Sequence, residues 1–157
     1  MERFLEAAAV LGHEVEVRRF PEGTRTAEDA ARAIGCTVGQ IVKSLVFIAD
    51  ERPVLALTSG ANRVDTARLA TVVGASRVRR ADADEARAAS GFAVGGTPPF
   101  GHPAPIETVF DPDLEAFAEI WAAAGTPDAV FQTTPAELLR VTGARIAAFR
   151  EEPAAGR

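Results

Sequence analysis

Two apolar runs in the first half of the chain set the strongest limit on what it can fold into. Gln40-Ile-Val-Lys-Ser-Leu-Val-Phe-Ile-Ala49 is mostly apolar and rich in β-branched residues, and Pro53–Thr58 follows it after Asp50-Glu-Arg52. Side chains branched at Cβ pack well on a pleated surface. The first run reads as a buried strand preceded by one helical turn, the second as its partner, and Asp50–Arg52 as the hairpin loop. One residue breaks the pattern. Lys43 sits between Ile41-Val42 and Leu45-Val46-Phe47, where an inward ammonium is costly without a partner.

The rest of the chain interleaves short helices with short strands. Phe4, Leu5, Ala8 and Leu11 share a helical face over residues 2–11, and Gly12 stops that helix. Val15, Val17 and Phe20 alternate with polar residues as a half-buried strand, and Pro21-Glu-Gly23 is a turn. Thr26 and Asp29 open a helix that ends at Gly35. Further helices are expected over Asp65–Val73, Asp82–Ala89, where Glu85 completes a capping box, and from Thr134-Pro-Ala-Glu137 to Gly143. Val78 belongs to a short strand or a connector, Ile106–Phe110 and Ala129–Gln132 read as strands, Asp111-Pro-Asp113 as a turn, and Arg145–Phe149 as a last strand. Ala116–Ala124 suits either state: alanine favours helix, while Phe117, Ile120 and Trp121 fit both. Gly91–Pro105 is too rich in Gly and Pro for regular structure. Without a strict βαβ rhythm, the expected class is α+β: a curved mixed sheet flanked by helices. One domain over residues 1–150 with a frayed tail at 151–157 accounts for the length.

Composition narrows the function. With 47% hydrophobic and 25% charged residues the chain is globular rather than disordered. A formal net charge of −5 argues against a protein that coats long stretches of nucleic acid. The N-terminus has no signal-peptide pattern and no stretch is long enough for a membrane span, so a cytoplasmic protein without a membrane partner is expected. Cys36 cannot pair internally, and no Cys/His set has metal-ligand spacing, so neither disulfide, metal nor other cofactor is expected. Of 17 basic residues 16 are Arg, which is read as genomic base composition. Lys43 is the sole lysine.

No nucleophile elbow, phosphate loop or dinucleotide fingerprint is present. A Cys-His pair is available only as Cys36 with His13 or His102, and Cys36 reads better as a core residue. Three places remain. Lys43 is either an amphipathic strand residue reaching water or a cation poised for phosphate binding or catalysis. Gly95-Gly-Thr-Pro-Pro-Phe-Gly-His102 is either a plain connection or a stiff loop that aims backbone groups at a ligand. Ser59-Gly-Ala-Asn-Arg63 is a small polar loop after a strand. Arg77, Arg79 and Arg80 form a basic cluster, read as solvated surface.

Taken in order, Thr26–Gly35, Gln40–Phe47, Thr58-Ser-Gly-Ala-Asn-Arg-Val-Asp65, Gly95–His102 and Thr134–Leu139 resemble the YbaK/prolyl-tRNA synthetase-associated domain family of trans-acting aminoacyl-tRNA deacylases. The lysine in the IVKSLVF-like strand and the GxxxP loop are its most specific marks. The resemblance implies a sheet curled into a partial barrel with packed helices. It implies hydrolysis of the ester between a wrong amino acid and the 3′-terminal ribose of a tRNA, with tRNA for proline the expected kind. Lys43, Gly95 and Pro99 fall on the family's functional positions. Ile41, Leu45, Thr58, Ser59, Gly60, Gly96, Thr97, Phe100, Gly101 and His102 are substrate-pocket candidates by their closeness to the motifs. Lys43 is assigned as a cation for the terminal phosphate or ester region, with general-base action the alternative. Expected partners are the acceptor end of an aminoacyl-tRNA and an aminoacyl-tRNA synthetase, with DNA excluded. The other classes are a non-catalytic tRNA-end or synthetase-binding module of the same fold, and a small-molecule or nucleotide hydrolase.

Overall fold

The structure is a computed structural model that describes residues 1–20 and 26–152. The turn at Pro21–Gly23 and the tail from 153 onward lie outside the described residues. In chain order the elements are α1 (Glu2–Val10), β1 (Val17–Arg19), α2 (Ala27–Ile34), β2 (Ile41–Ala49), β3 (Arg52–Ser59), α3 (Thr66–Val73), β4 (Val78–Arg80) and α4 (Ala83–Ser90). They continue with β5 (Glu107–Phe110), β6 (Ile120–Ala123), β7 (Ala129–Thr133), α5 (Pro135–Thr142) and β8 (Arg145–Ile146). Single 3-10 turns cover Val38–Gln40 and Pro112–Ala116.

Local chemistry sets the helix ends. The Thr26, Asp82 and Thr134 side chains accept from the amides of Asp29, Glu85 and Glu137, and Gly35, Gly91 and Gly143 close the same helices in the left-handed region. The β2–β3 turn is tied down by Asp50, a non-glycine residue at φ 56°. Its carboxylate accepts from the amides of Ser76 and Arg77, and its own amide donates to the Arg77 carbonyl, 2.8 Å away. That exchange offsets the cost of the left-handed backbone.

The sheet is mixed, in the order β1-β7-β6-β2-β3-β5-β8, and β4 is an additional partner of β2. It is open, with β1 and β8 at its two ends, rather than closed into a barrel. Side chains alternate across it. Val42, Val46, Leu55 and Leu57 face a core formed with Phe4 and Ala8 of α1, Ala86 of α4 and Leu138 of α5. Phe47, Ala49, Val54 and Ala56 face Leu69 and Val73 of α3 and Phe149 on the other side, and Ile41 packs on Ala30 and Ala31 of α2. Central β3 is covered on both faces, so its run from Val54 to Ser59 is wholly buried.

Tertiary pairing decides the segments that periodicity leaves open. The alanines of Ala116–Ala124 favour helix, yet Ile120–Ala123 is β6, because it fills the place between β2 and β7. Arg52 is the first residue of β3 rather than part of the loop. The last strand stops at Ile146, and Phe149 is buried beside α3 instead.

One topological feature prepares the site. On the edge away from β3, β2 pairs with β6 only at Ile41 and Val42, and with β4 only from Phe47 to Ala49. Between them the sheet divides, and β2 runs on from Lys43 without a ladder on that side.

Candidate active site

A cleft of about 680 Å³ opens at this division, large enough for a nucleoside-sized group rather than a folded nucleic acid. Because the sheet is split, the cleft is lined from both of its faces. The outer part carries Lys43, Arg63 and Arg80 with Glu28. The inner part is small and apolar, with buried Val46, Ala86, Ala122 and Ala129 around Ser44 and Thr97, while Val94 on the lining is exposed.

Lys43 is half-buried, and its Nζ donates to the Asn62 carbonyl at 2.6 Å. An ammonium has three donors, so a single carbonyl leaves the others for a ligand. Burial pulls its pKa below the ordinary lysine range; Glu28 raises it, Arg63 and Arg80 lower it, and Asp111 raises it. The carbonyl that holds Lys43 is itself fixed. Asn62 Nδ2 donates to Asp111 Oδ2 and to Asp113 Oδ2, each at 2.8 Å. Asp111, only 1% exposed, also accepts from the Ser59 amide at 3.1 Å and the Asp113 amide at 2.9 Å. Arg150 pairs with Asp113 at 3.2 Å. A buried carboxylate thus holds the loop whose carbonyl orients the lysine. Gly60 is required here: a Cβ would lie 2.4 Å from the Val38 carbonyl oxygen.

The Gly95–His102 segment reaches the cleft through Gly95 and Thr97. Gly95 has φ 92°, and a Cβ on Gly96 would meet the Thr126 backbone at 2.8 Å, so the loop lies flat against the β6–β7 turn. Phe100 anchors it from below, 4.8 Å from Phe4 and 5.9 Å from Phe131 between ring centres. His102 Nε2 donates to the Pro98 carbonyl at 2.9 Å and closes the turn over Pro99. Burial lowers the His102 pKa, and the bond to Pro98 raises it.

The candidates named from the sequence therefore divide. Ile41, Lys43, Leu45, Gly60, Gly95 and Thr97 line the cleft. Thr58, Ser59, Gly96, Pro99, Phe100, Gly101 and His102 do not line it; the first five are buried and Gly101 and His102 are half-buried. Neither Cys36, His13 nor His102 lines it. His13 bonds Thr133 at 3.1 Å and faces Glu137 at 3.4 Å instead. The basic cluster splits: Arg79 pairs with Glu85 on the surface, while Arg80 reaches the cleft, as neighbouring strand residues on opposite faces must. Glu28, Ser44 and Asp111 are not singled out by sequence, and Arg63 enters only as the end of the Ser59–Arg63 loop. The two aspartates of the Asp-Pro-Asp turn were the available signal for Asp111. Among the described residues no group of His, Cys, Asp or Glu could hold a metal, and no helix is long and apolar enough to cross a membrane.

Comparison with known proteins places this geometry. A solved structure described as "a putative trans-editing enzyme for prolyl tRNA synthetase" superposes with a TM-score of 0.91 and 45% identity, covering 96% of each chain. The "Putative Cys-tRNA(Pro)/Cys-tRNA(Cys) deacylase EbsC" of Enterococcus faecalis is 26% identical over 82% of this chain and 79% of its own length. A proline–tRNA ligase of Citrifermentans bemidjiense is 30% identical over 68% of this chain, which spans only 18% of that enzyme. The aminoacyl-tRNA editing domain profile matches residues 21–141, and the chain belongs to that family.

Proposed function

We propose that the protein is an aminoacyl-tRNA deacylase. It hydrolyses the ester that joins a small wrong amino acid to the 3′-terminal ribose of a tRNA, with tRNA for proline the foremost candidate. The carrying observation is the placement of half-buried Lys43, with donors to spare, across a nucleoside-sized cleft from the Gly95–Thr97 loop. Lys43, Arg63 and Arg80 make a positive rim suited to the terminal phosphate and the ester region. The small inner part suits a side chain of the size of Ala, Ser, Thr or Cys.

An aminoacyl ester is already reactive, so positioning water and stabilising the oxyanion suffice. Water attacks the carbonyl carbon, the bond to the ribose oxygen breaks, and that oxygen takes a proton. Free amino acid and intact tRNA leave. Lys43 acts as the cation, and the backbone at Gly95–Thr97 holds the aminoacyl group and the water. The reaction belongs to translation in the cytoplasm, with the acceptor end as the gripped part and a synthetase as the partner that selects the tRNA.

The test is a panel of tRNAs mischarged with Ala, Ser, Thr and Cys, incubated with the wild type and with Lys43→Ala. Wild type clears at least one ester, and Lys43→Ala falls by roughly 10²-fold or more in kcat/KM. Lys43→Arg, which keeps the charge, retains more activity than Lys43→Ala. Near-wild-type deacylation by a folded Lys43→Ala would overturn the assignment; no cleavage by wild type would favour a binding module.

A further inference from the structure

Ser44 is the residue at the break in the sheet, and two features of it are unaccounted for by the fold. Its hydroxyl is buried without a hydrogen-bond partner, the one such side-chain atom among the described residues. Its main chain is also open. The Gly60 amide donates to the Ile41 carbonyl, so the odd-numbered residues of β2 turn their N–H and C=O toward β3. The even-numbered ones turn away, as the Ala81 amide on the Val46 carbonyl shows. Ser44 therefore points its N–H and C=O into the cleft, beyond the last β6 pair at Val42 and short of the first β4 pair at Phe47. Buried polar groups are nearly always paired in native proteins, and unpaired sets converging on one cleft mark a place for a ligand.

We propose that Ser44 is the docking point for the α-amino and carbonyl groups of the aminoacyl ester, which complete the interrupted ladder as one strand residue would. This rests on the part of that reading that seats the aminoacyl end of a tRNA in the cleft. The ligand's N–Cα–C=O unit carries the donor and acceptor of a strand residue at matching spacing. Its α-ammonium donates to the Ser44 carbonyl, and the Ser44 amide donates to the ester carbonyl oxygen. After rotation to another staggered rotamer, the Ser44 hydroxyl accepts a second bond from the ammonium. Recognition at Ser44 is therefore blind to the amino-acid side chain, which the apolar walls judge separately.

The experiment uses the full chain and stable amide analogues, 3′-alanylamino-3′-deoxyadenosine and its propionyl counterpart, which lacks the α-amino group. Ser44→Ala is expected to weaken the alanyl analogue about tenfold, the worth of one hydrogen bond to a charged group, and to leave the propionyl analogue unchanged. Ser44→Thr, which keeps the hydroxyl, stays close to wild type. In deacylation, Ser44→Ala lowers kcat/KM by a similar factor on every ester that wild type cleaves. The melting temperature of Ser44→Ala stays level or rises, because an unpaired buried hydroxyl is removed. Equal binding of the alanyl analogue by wild type and Ser44→Ala overturns the proposal, as does an equal loss on both analogues. If wild type cleaves no ester yet binds the alanyl analogue in a Ser44-dependent way, the deacylase reading falls and this assignment stands.

Discussion

Lys43 is tuned by groups it does not touch. Its direct partner is the neutral Asn62 carbonyl, while the nearby charges act through space on a side chain already depressed by desolvation. Its sign for stability is fixed by that direction. The folded state binds its proton less tightly than the unfolded chain, so the ammonium costs stability below the folded pKa. That cost is relieved as pH rises through the folded value toward the ordinary value of 10.5. Asp111 opposes the depression and also holds Asn62. Asp111→Asn is therefore expected to lower the Lys43 pKa further. It is also expected to cost about 1–3 kcal/mol of stability, through loss of an acceptor in a buried network. Because Lys43 is the sole lysine, its side-chain resonance is unambiguous in an NMR titration of lysine-labelled protein. An unchanged or raised pKa in Asp111→Asn would remove Asp111 from this role.

Among the elements, the glycine- and proline-rich loop shows how irregular backbone is made rigid. Its hydrogen bonds are few and local; much of its order comes from Phe100, which is driven into the core between Phe4 and Phe131. Phe100→Ala is expected to cost about 3–5 kcal/mol, measured by urea unfolding, because a buried aromatic leaves a cavity. Amide exchange over Gly95–Gly101 should rise with it, since the loop loses its anchor. A loss below ~1 kcal/mol would show that the loop is held by other contacts. β2 and β3 were legible beforehand because their apolar, β-branched runs exceed what a surface strand carries. β6 was not, because its alanines state no preference that outweighs a ladder on each side. The capped helices α2, α4 and α5 were legible, since their start and stop signals lie within a few residues.

For the molecule as a whole, a net charge of −5 limits how much nucleic acid it can grip. The positive rim of the cleft consists of Lys43, Arg63 and Arg80. Three contacts to a single-stranded acceptor end predict a slope of log K against log salt of about −2, from a titration of uncharged tRNA. A slope several times steeper would demand a larger footprint elsewhere on the surface. The same scale separates what was readable from what was not. The sequence alone determined the helix ends, the buried hairpin, the odd lysine within it and the family motifs, because each rests on neighbours a few residues apart. The tertiary structure alone decided that β2 loses its partner between β6 and β4 and that Arg80 turns in while Arg79 turns out. It also decided that Asp111 reaches across the chain to hold Asn62. These depend on register and strand order, which are set by packing summed over the whole core and not by any local stretch.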